Sequence, residues 1–329
     1  MDTLSQLFEI CARPLAYLGL STATILSSKL AGFAWLYIRP TSLSRYQHGK
    51  PGSTWALVTG ASDGIGLAFT EALLQRGFNV IMHGRNKAKL ERIVSDLQPR
   101  YSPLEIRFVI ADASALQPDI AAIQAAVKSL PGKLTILVNN VGGTPFDPSF
   151  RALSDYPPED ADAVLNMNAR FPVQLTRALL PIFYAATPAL VMNIGSAVGE
   201  LGMPFLTTYS ASKSFNHRFN NALRGEMAAL GIDVEVIGLL IGNVLSAGNR
   251  ERDYFTCTSA EVANEALNRV GCGSNLVWAW WRHAIGFGIV GILPVWIQDR
   301  IVLNVLKSRE DSQAVIEQVR KGLNRDKIA

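Results

Sequence analysis

The sequence predicts a doubly wound α/β fold, a parallel sheet with helices packed on both faces. Three observations predict it. Short apolar segments alternate with longer amphipathic ones between residues 55 and 240. The short segments are apolar at successive positions, as strands covered on both faces must be. The first of them runs into a glycine-rich turn that opens a helix, T-G-A-S-D-G-I-G at residues 59–66.

Strands are expected near 55–59, 78–82, 105–110, 134–139, 188–194 and 233–240, and helices near 65–76, 86–98, 115–130, 159–185 and 207–230. Gly77 suits a helix C-cap before the second strand. Pro181 predicts a kink or an early end late in the fourth helix. There is no internal repeat and no low-complexity segment.

In the glycine-rich turn, Gly60 lets the chain reverse sharply, and Gly64 lets the backbone approach a pyrophosphate. Gly66 allows close packing of helix on strand. The helix N-terminus offers free N–H groups and a positive dipole end to phosphates. The turn reads as a Rossmann-type dinucleotide site spaced G-x-x-x-G-x-G, with an ordinary tight strand-to-helix turn as the alternative, and Ser62, Asp63 and Ile65 lie in it. Cofactor choice is read after the second strand, in V-I-M-H-G-R-N at residues 80–86. NAD enzymes commonly place an acidic residue there. None is present, and Arg85 is placed to pair a 2′-phosphate, with Lys87 or Lys89 assisting, so NADP(H) is expected. The competing reading of Arg85 is a solvated charge opening the next helix.

Tyr209 and Lys213 lie four residues apart in T-Y-S-A-S-K, on one face of the fifth helix, with Ser196 upstream in N-I-G-S. An ammonium beside a phenol favours the phenolate and is expected to lower a pKa that is ordinarily about 10. The phenol then exchanges a proton with a carbonyl or alcohol oxygen, and a serine hydroxyl orients that oxygen.

These residues resemble the short-chain dehydrogenase/reductase family over about residues 53–248. The matching pieces come in family order: T-G-A-S-D-G-I-G, A-D-A-S at 111–114, N-N-V-G at 139–142, N-M-N at 166–168, Ser196, Y-S-A-S-K at 209–213 and I-G-N-V at 241–244. The resemblance implies that Ser196, Tyr209 and Lys213 are catalytic, and that Asn168 completes a tetrad by ordering a relay water, with Asn166 the nearby competitor. It implies that Asp112, Asn140 and Val244 border the cofactor, Asp112 beside the adenine; Asp112 also reads as a turn cap. Two departures stand out. N-N-A-G is N-N-V-G-G here. The usual proline-glycine after the sixth strand is Ile241-Gly242, and the usual threonine further on is Ser246.

Composition narrows the class. Hydrophobic residues make up 49% and the formal net charge is +4; mean hydropathy is +0.18 and the pI about 9.0. The basic residues are scattered with no aromatic interleaving, so nucleic acid is not an expected partner. Cys11, Cys257 and Cys272 form no C-x-x-C and read as reduced thiols. His48, His83, His217 and His283 show no metal-ligand spacing, and no metal is expected. His217 reads as a packed or partly exposed side chain.

Both flanks are apolar. Residues 14–38 form a long apolar run interrupted by Lys29, and at about 1.5 Å per residue they reach across a hydrocarbon core of about 30 Å. Arg39, Arg45 and Lys50 follow, which puts the catalytic part in the cytosol. The alternative is an amphipathic helix buried against the domain. Residues 276–297 carry Trp278, Trp280, Trp281 and Trp296 around an apolar centre, as at a membrane interface. They read either as a monotopic or re-entrant hairpin beside the substrate entrance or as a core helix lining an apolar substrate pocket. Residues 308–321 read as a polar amphipathic helix. The expected organisation is an N-terminal membrane helix and linker (1–50), a reductase domain (51–272) and a C-terminal apolar extension (273–329).

R-P-x-S-L-x-R-Y after the anchor, then W-x-x-H-A and L-P-x-W near the end, narrow the resemblance to microsomal beta-ketoacyl-CoA reductases and membrane-bound hydroxysteroid dehydrogenases. That resemblance implies NADPH-dependent reduction of a ketone on an apolar or acyl-CoA substrate, at the endoplasmic reticulum, with a homo-oligomer among the expected partners. Arg325 and Lys327 only approximate a lysine retrieval signal. A specialised pathway acting on a polyketide or terpenoid ketone or alcohol, and a catalytically silent scaffold, are the alternatives.

Overall fold

The structure, a computed structural model, describes residues 2–245 and 252–326. Ser246 and Lys327 lie outside them. The chain divides into two units, residues 1–41 and residues 42–329.

The first unit is one helix, α1 (Asp2–Ile38), with Pro14 inside it. Ser21, Thr22 and Thr24 fold their hydroxyls back onto the carbonyls four residues earlier, each at 2.8 Å. Leu15, Leu18, Ile25 and Leu30 are exposed. The expectation of a spanning helix at residues 14–38 is not met: no helix among the described residues is long and apolar enough to cross a membrane. The run has the length, but Lys29 and its serines and threonines dilute its apolarity.

The second unit alternates strand and helix: β1 (Thr54–Thr59), α2 (Gly64–Gln75), β2 (Asn79–Gly84), α3 (Lys87–Leu97), β3 (Ile106–Ile110), α4 (Ile120–Lys128), β4 (Lys133–Asn139), α5 (Pro158–Leu165), α6 (Phe171–Ala185), β5 (Ala189–Ile194), α7 (Val198–Leu201), α8 (Thr207–Leu230) and β6 (Val234–Leu240). Then follow β7 (Val244–Leu245), β8 (Cys257–Thr258), α9 (Ser259–Asn268), β9 (Leu276–Trp278), α10 (Trp281–Gly291), α11 (Val295–Ser308) and α12 (Glu310–Asp326). Among the described residues the main sheet has seven strands in the order β3-β2-β1-β4-β5-β6-β9, every pair parallel. The order reverses between β1 and β4, so the crevice outside their C-terminal ends is where ligands bind in such sheets.

The core lies between the sheet and its helices. Leu57, Ile81, Leu137, Val191 and Val236 meet Phe171, Leu175, Leu179 and Phe183 of α6. A chain of buried amides crosses the middle of the sheet. Asn139 donates to Asn193 at 2.9 Å, and Asn193 donates to Asn220 of α8 at 3.0 Å. Buried amides are costly unless paired, so this chain fixes α8 against β4 and β5.

Several expectations shift in detail. The helix expected over 159–185 is two helices joined by a π turn, Asn166–Arg170. Pro181 does not end α6, which runs on to Ala185. Helix α4 starts only after Pro118, capped by Asp119. Gly77 follows α2 with φ +82°, as a C-cap glycine does. The linker after α1 belongs to the domain: Tyr46 is fully buried, its hydroxyl bonded to Glu235, and Arg45 pairs with Asp233 at 2.7 Å.

The apolar run 276–297 breaks into β9, α10 and the start of α11. Trp278 stacks on Phe287 at 4.8 Å, and Trp280 is buried, so these two tryptophans pack inside the domain rather than mark a membrane interface. Beyond them, Ile289, Ile292, Val295 and Trp296 are exposed. Further on, Leu306 of α11 and Val315 of α12 pack against Phe150 and Ala152, with Met203, Phe205 and Leu206 beside them.

Candidate active site

A cavity of about 620 Å³ opens at the C-terminal ends of β1, β4, β5 and β6, lined by Asp63, Ile65, Ser196, Tyr209, Lys213 and Val244 among others. A smaller one of about 220 Å³ shares Gly60, Val141 and Gly142 with it and reaches Ser62, Arg85 and Asp112.

The glycine-rich turn is built for close approach. Gly60 and Gly64 have φ of +64° and +52°, a region that disfavours any side chain. A Cβ on Gly66 would collide with the Gly60 carbonyl. Asn140 braces the turn, its amide donating to the Thr59 carbonyl at 2.9 Å. Asp63 caps α2, accepting from the Gly64 N–H at 2.7 Å, and pairs with Lys89 at 2.7 Å. That Lys89 contact, with the Gly64 N–H, holds the Asp63 carboxyl below its ordinary range against a smaller opposing effect of burial. Lys89 is thus held at Asp63, and Lys87 faces Glu91 at 3.6 Å.

Asp112 accepts from the Ser114 N–H and hydroxyl at 2.9 and 2.7 Å. Burial works to raise its pKa, but the two Ser114 hydrogen bonds and the Arg85 charge together hold it below the ordinary value. His83, missed by sequence reasoning, lines the smaller cavity and stacks on Phe171 at 5.0 Å. Burial pushes its pKa down to about 4, so it is neutral.

Helix α8 carries the acid–base pair. Lys213 is 4% exposed, and its ammonium donates to the Ile194 carbonyl at the end of β5 at 3.0 Å. Burial lowers its pKa to about 8. The Tyr209 phenol bonds to Ser196; burial raises its pKa and the Ser196 bond draws it partly back. This corrects the expectation of a lysine-lowered phenol. Lys213 lies 5.7 Å from the centre of the Tyr209 ring and is bonded to a carbonyl instead. Burial, which spacing does not reveal, decides the sign.

Asn168 sits in the π turn, fully buried, and a Cβ on Gly142 would lie 2.8 Å from its Oδ1 and 2.9 Å from Lys213 Nζ. Its amide donates to the Gly143 and Val164 carbonyls at 2.7 and 2.8 Å, and its Oδ1 accepts from the Gly143 N–H at 2.9 Å. Asn166 points elsewhere, to the Ser114 carbonyl at 3.3 Å. His217, one turn beyond Lys213, is buried with Glu200 2.7 Å from its Nδ1. A Cβ on Gly195 or Gly199 would strike its ring, so glycines on both sides of Ser196 make room for it.

Arg309, between α11 and α12, also lines the larger cavity, so the C-terminal extension contributes to its wall. Nothing in the sequence marked this arginine, because the contact joins segments about a hundred residues apart.

Residues 54–253 match the short chain dehydrogenase family. The chain is 30% identical over 246 residues to the very-long-chain 3-oxoacyl-CoA reductase of Podospora anserina, which covers 73% of this chain and 71% of that protein. It is 32% identical over 251 residues to hydroxysteroid dehydrogenase-like protein 1 of Gallus gallus, covering 74% and 73% of the two chains. Among solved structures, a metagenomic short-chain oxidoreductase in complex with NADP superposes with a TM-score of 0.57 at 26% identity, covering 69% of this chain and 96% of that one. The fold, the glycine-rich turn and these likenesses agree: the chain belongs to the short-chain dehydrogenase/reductase family and is an oxidoreductase.

Proposed function

We propose that this protein reduces the ketone of an apolar acyl substrate, a 3-oxoacyl thioester, to a secondary alcohol, using NADPH. The observation that carries this reading is a Ser196–Tyr209 hydroxyl pair on the wall of a cavity also lined by Ile194, Leu206, Ile241 and Val244. Relatives from Podospora anserina, Caenorhabditis elegans and Pyricularia oryzae are named for 3-oxoacyl-CoA reduction.

The cleft fits a dinucleotide. Gly60, Gly64, Gly66 and Gly142 leave room for its backbone, Ser62, Asp63 and Ile65 would hold the phosphates, and Asn140 and Val244 border the larger cavity. Arg85 and Asp112 would hold the adenosine end. When bound, NADPH supplies the hydride that reaches the carbonyl carbon. Ser196 donates a hydrogen bond to the carbonyl oxygen and orients it. Tyr209 gives that oxygen its proton, and a phenol held above its ordinary pKa is present as the acid at neutral pH. Lys213, bonded to the Ile194 carbonyl and 5.7 Å from the centre of the Tyr209 ring, would hold the cofactor's ribose. Both N–H groups of Asn168 are used on carbonyls, so it serves the relay through Oδ1 and by tying down the 142–143 loop.

We place the protein at the endoplasmic reticulum with its active site on the cytosolic side. In this reading the exposed tip of α10 and α11 rests on the bilayer surface. Ile289, Ile292, Val295 and Trp296 form an apolar face with an aromatic at its edge, as interfacial segments do.

Purified protein should oxidise NADPH with 3-oxoacyl-CoA faster than with steroid or polyketide ketones. Tyr209→Phe should lower turnover by ~10²-fold or more, the scale of a lost general acid, with NADPH binding kept; near-normal turnover in that variant refutes the mechanism. Arg85→Asp should weaken NADPH far more than NADH, because repulsion replaces a charge-assisted contact. Equal losses would show that Arg85 does not read the 2′-phosphate. Trp296→Ser with Ile292→Ser should reduce flotation with phosphatidylcholine vesicles, and unchanged flotation would remove this tip from the membrane contact.

A further inference from the structure

We infer that His283, a residue of the C-terminal extension, is the positioning residue for the cavity-wall loop that follows β6. In this family the loop usually holds a proline before its glycine; here it reads Ile241-Gly242-Asn243, so the ring that would stiffen it is missing. Ile241, Gly242, Asn243 and Val244 all line the larger cavity.

His283 lies on α10 and is fully buried. The Gly242 N–H donates to its Nδ1 at 3.1 Å. That bond assigns the tautomer: Nδ1 is the acceptor, so Nε2 carries the proton. Nε2 lies 2.9 Å from the Phe255 carbonyl and 3.2 Å from the Asn243 carbonyl, and its N–H is shared between them. One neutral imidazole therefore bonds three backbone positions in two segments, just before the short β7–β8 ladder and the Cys257 N–H bond to the Asn243 carbonyl at 3.3 Å join them. Burial favours that neutral form and outweighs the pull of the two carbonyls and of Asp253.

The ring itself cannot shift easily. Trp280 meets it edge-on at 5.0 Å, and Phe287 at 6.3 Å. A Cβ on Gly242 would come within 2.7 Å of Phe287 and 2.8 Å of His283, so glycine is required for the loop to lie against this helix. The effect reaches the catalytic serine. The Ile241 carbonyl accepts from the Ala197 N–H at 2.9 Å, next to Ser196. Helix α10 thus holds the loop, and the loop holds the backbone beside Ser196.

The inference rests on the larger cavity being the cofactor and substrate site. The test measures two things in full-length protein: the NADPH Kd and KM, and hydrogen exchange at the Gly242 amide without ligand. In His283→Phe, which keeps a ring and removes the bonds, the Gly242 amide should exchange faster and the NADPH Kd and KM should rise roughly tenfold, the scale of one lost hydrogen bond. kcat should change by less, about threefold at most. His283→Gln, which keeps an acceptor and a donor, should recover part of both losses; it carries the same two readings alone if the phenylalanine variant does not fold. Unchanged Gly242 exchange overturns the anchor, and faster exchange with unchanged NADPH Kd overturns its link to the site. Wild-type protein that binds no NADPH would instead refute the functional reading, while the exchange arm still judges the anchor.

Discussion

A buried ammonium is the constraint around which the site is arranged. Burial brings Lys213 from 10.5 to about 8, so keeping it charged at neutral pH costs about 3 kcal/mol. Folded protein gives up this proton near pH 8 and unfolded chain only near 10.5, so this group makes folding more favourable as pH rises between those values. The cost is partly offset by the Ile194 carbonyl at 3.0 Å. That bond ties α8 to the end of β5, and it sets the helix rotation that turns Tyr209, one turn earlier, toward Ser196. The amide chain from Asn139 through Asn193 to Asn220 holds the same helix about two turns beyond Lys213. Gly142, Gly195 and Gly199 then follow from the lack of space around Lys213 and His217.

Much of this was legible in the sequence, and the reasons differ by element. The strands from β1 to β6 announce themselves because each is a short, mostly apolar segment set among longer amphipathic ones, although Arg107 interrupts β3 and Glu235 interrupts β6. The glycine-rich turn is legible because backbone geometry there admits only glycine. The Tyr209–Lys213 spacing reads directly as one helix face. Strand β9 was not legible: it has three residues inside a longer apolar run, and only pairing with β6 makes it a strand. The π turn at Asn168 has no local signature either. The direction of the Tyr209 pKa depends on burial, which comes from tertiary packing. The partners of Lys89 and His283 lie in distant segments and were equally hidden.

The C-terminal extension resolves into two parts with different chemistry. Its root, Trp278, Trp280, His283 and Phe287, packs against the sheet edge and the loop after β6. Its tip, from Ile289 to Trp296, keeps apolar side chains exposed. Farther on, α11 and α12 return to cover Phe150 and the 203–206 segment and bring Arg309 to the cavity. A segment that sequence patterning marks only as apolar is therefore part wall and part surface. The division falls where aromatic rings find partners and where they do not.

The titration of Lys213 tests the central claim most directly. Protein labelled with ¹³C at lysine Cε should show one lysine signal that moves with a midpoint near pH 8, and that signal should be missing from Lys213→Met. If every lysine signal titrates near the ordinary value of about 10.4, the ammonium is not buried as described, and the arrangement built around it is wrong.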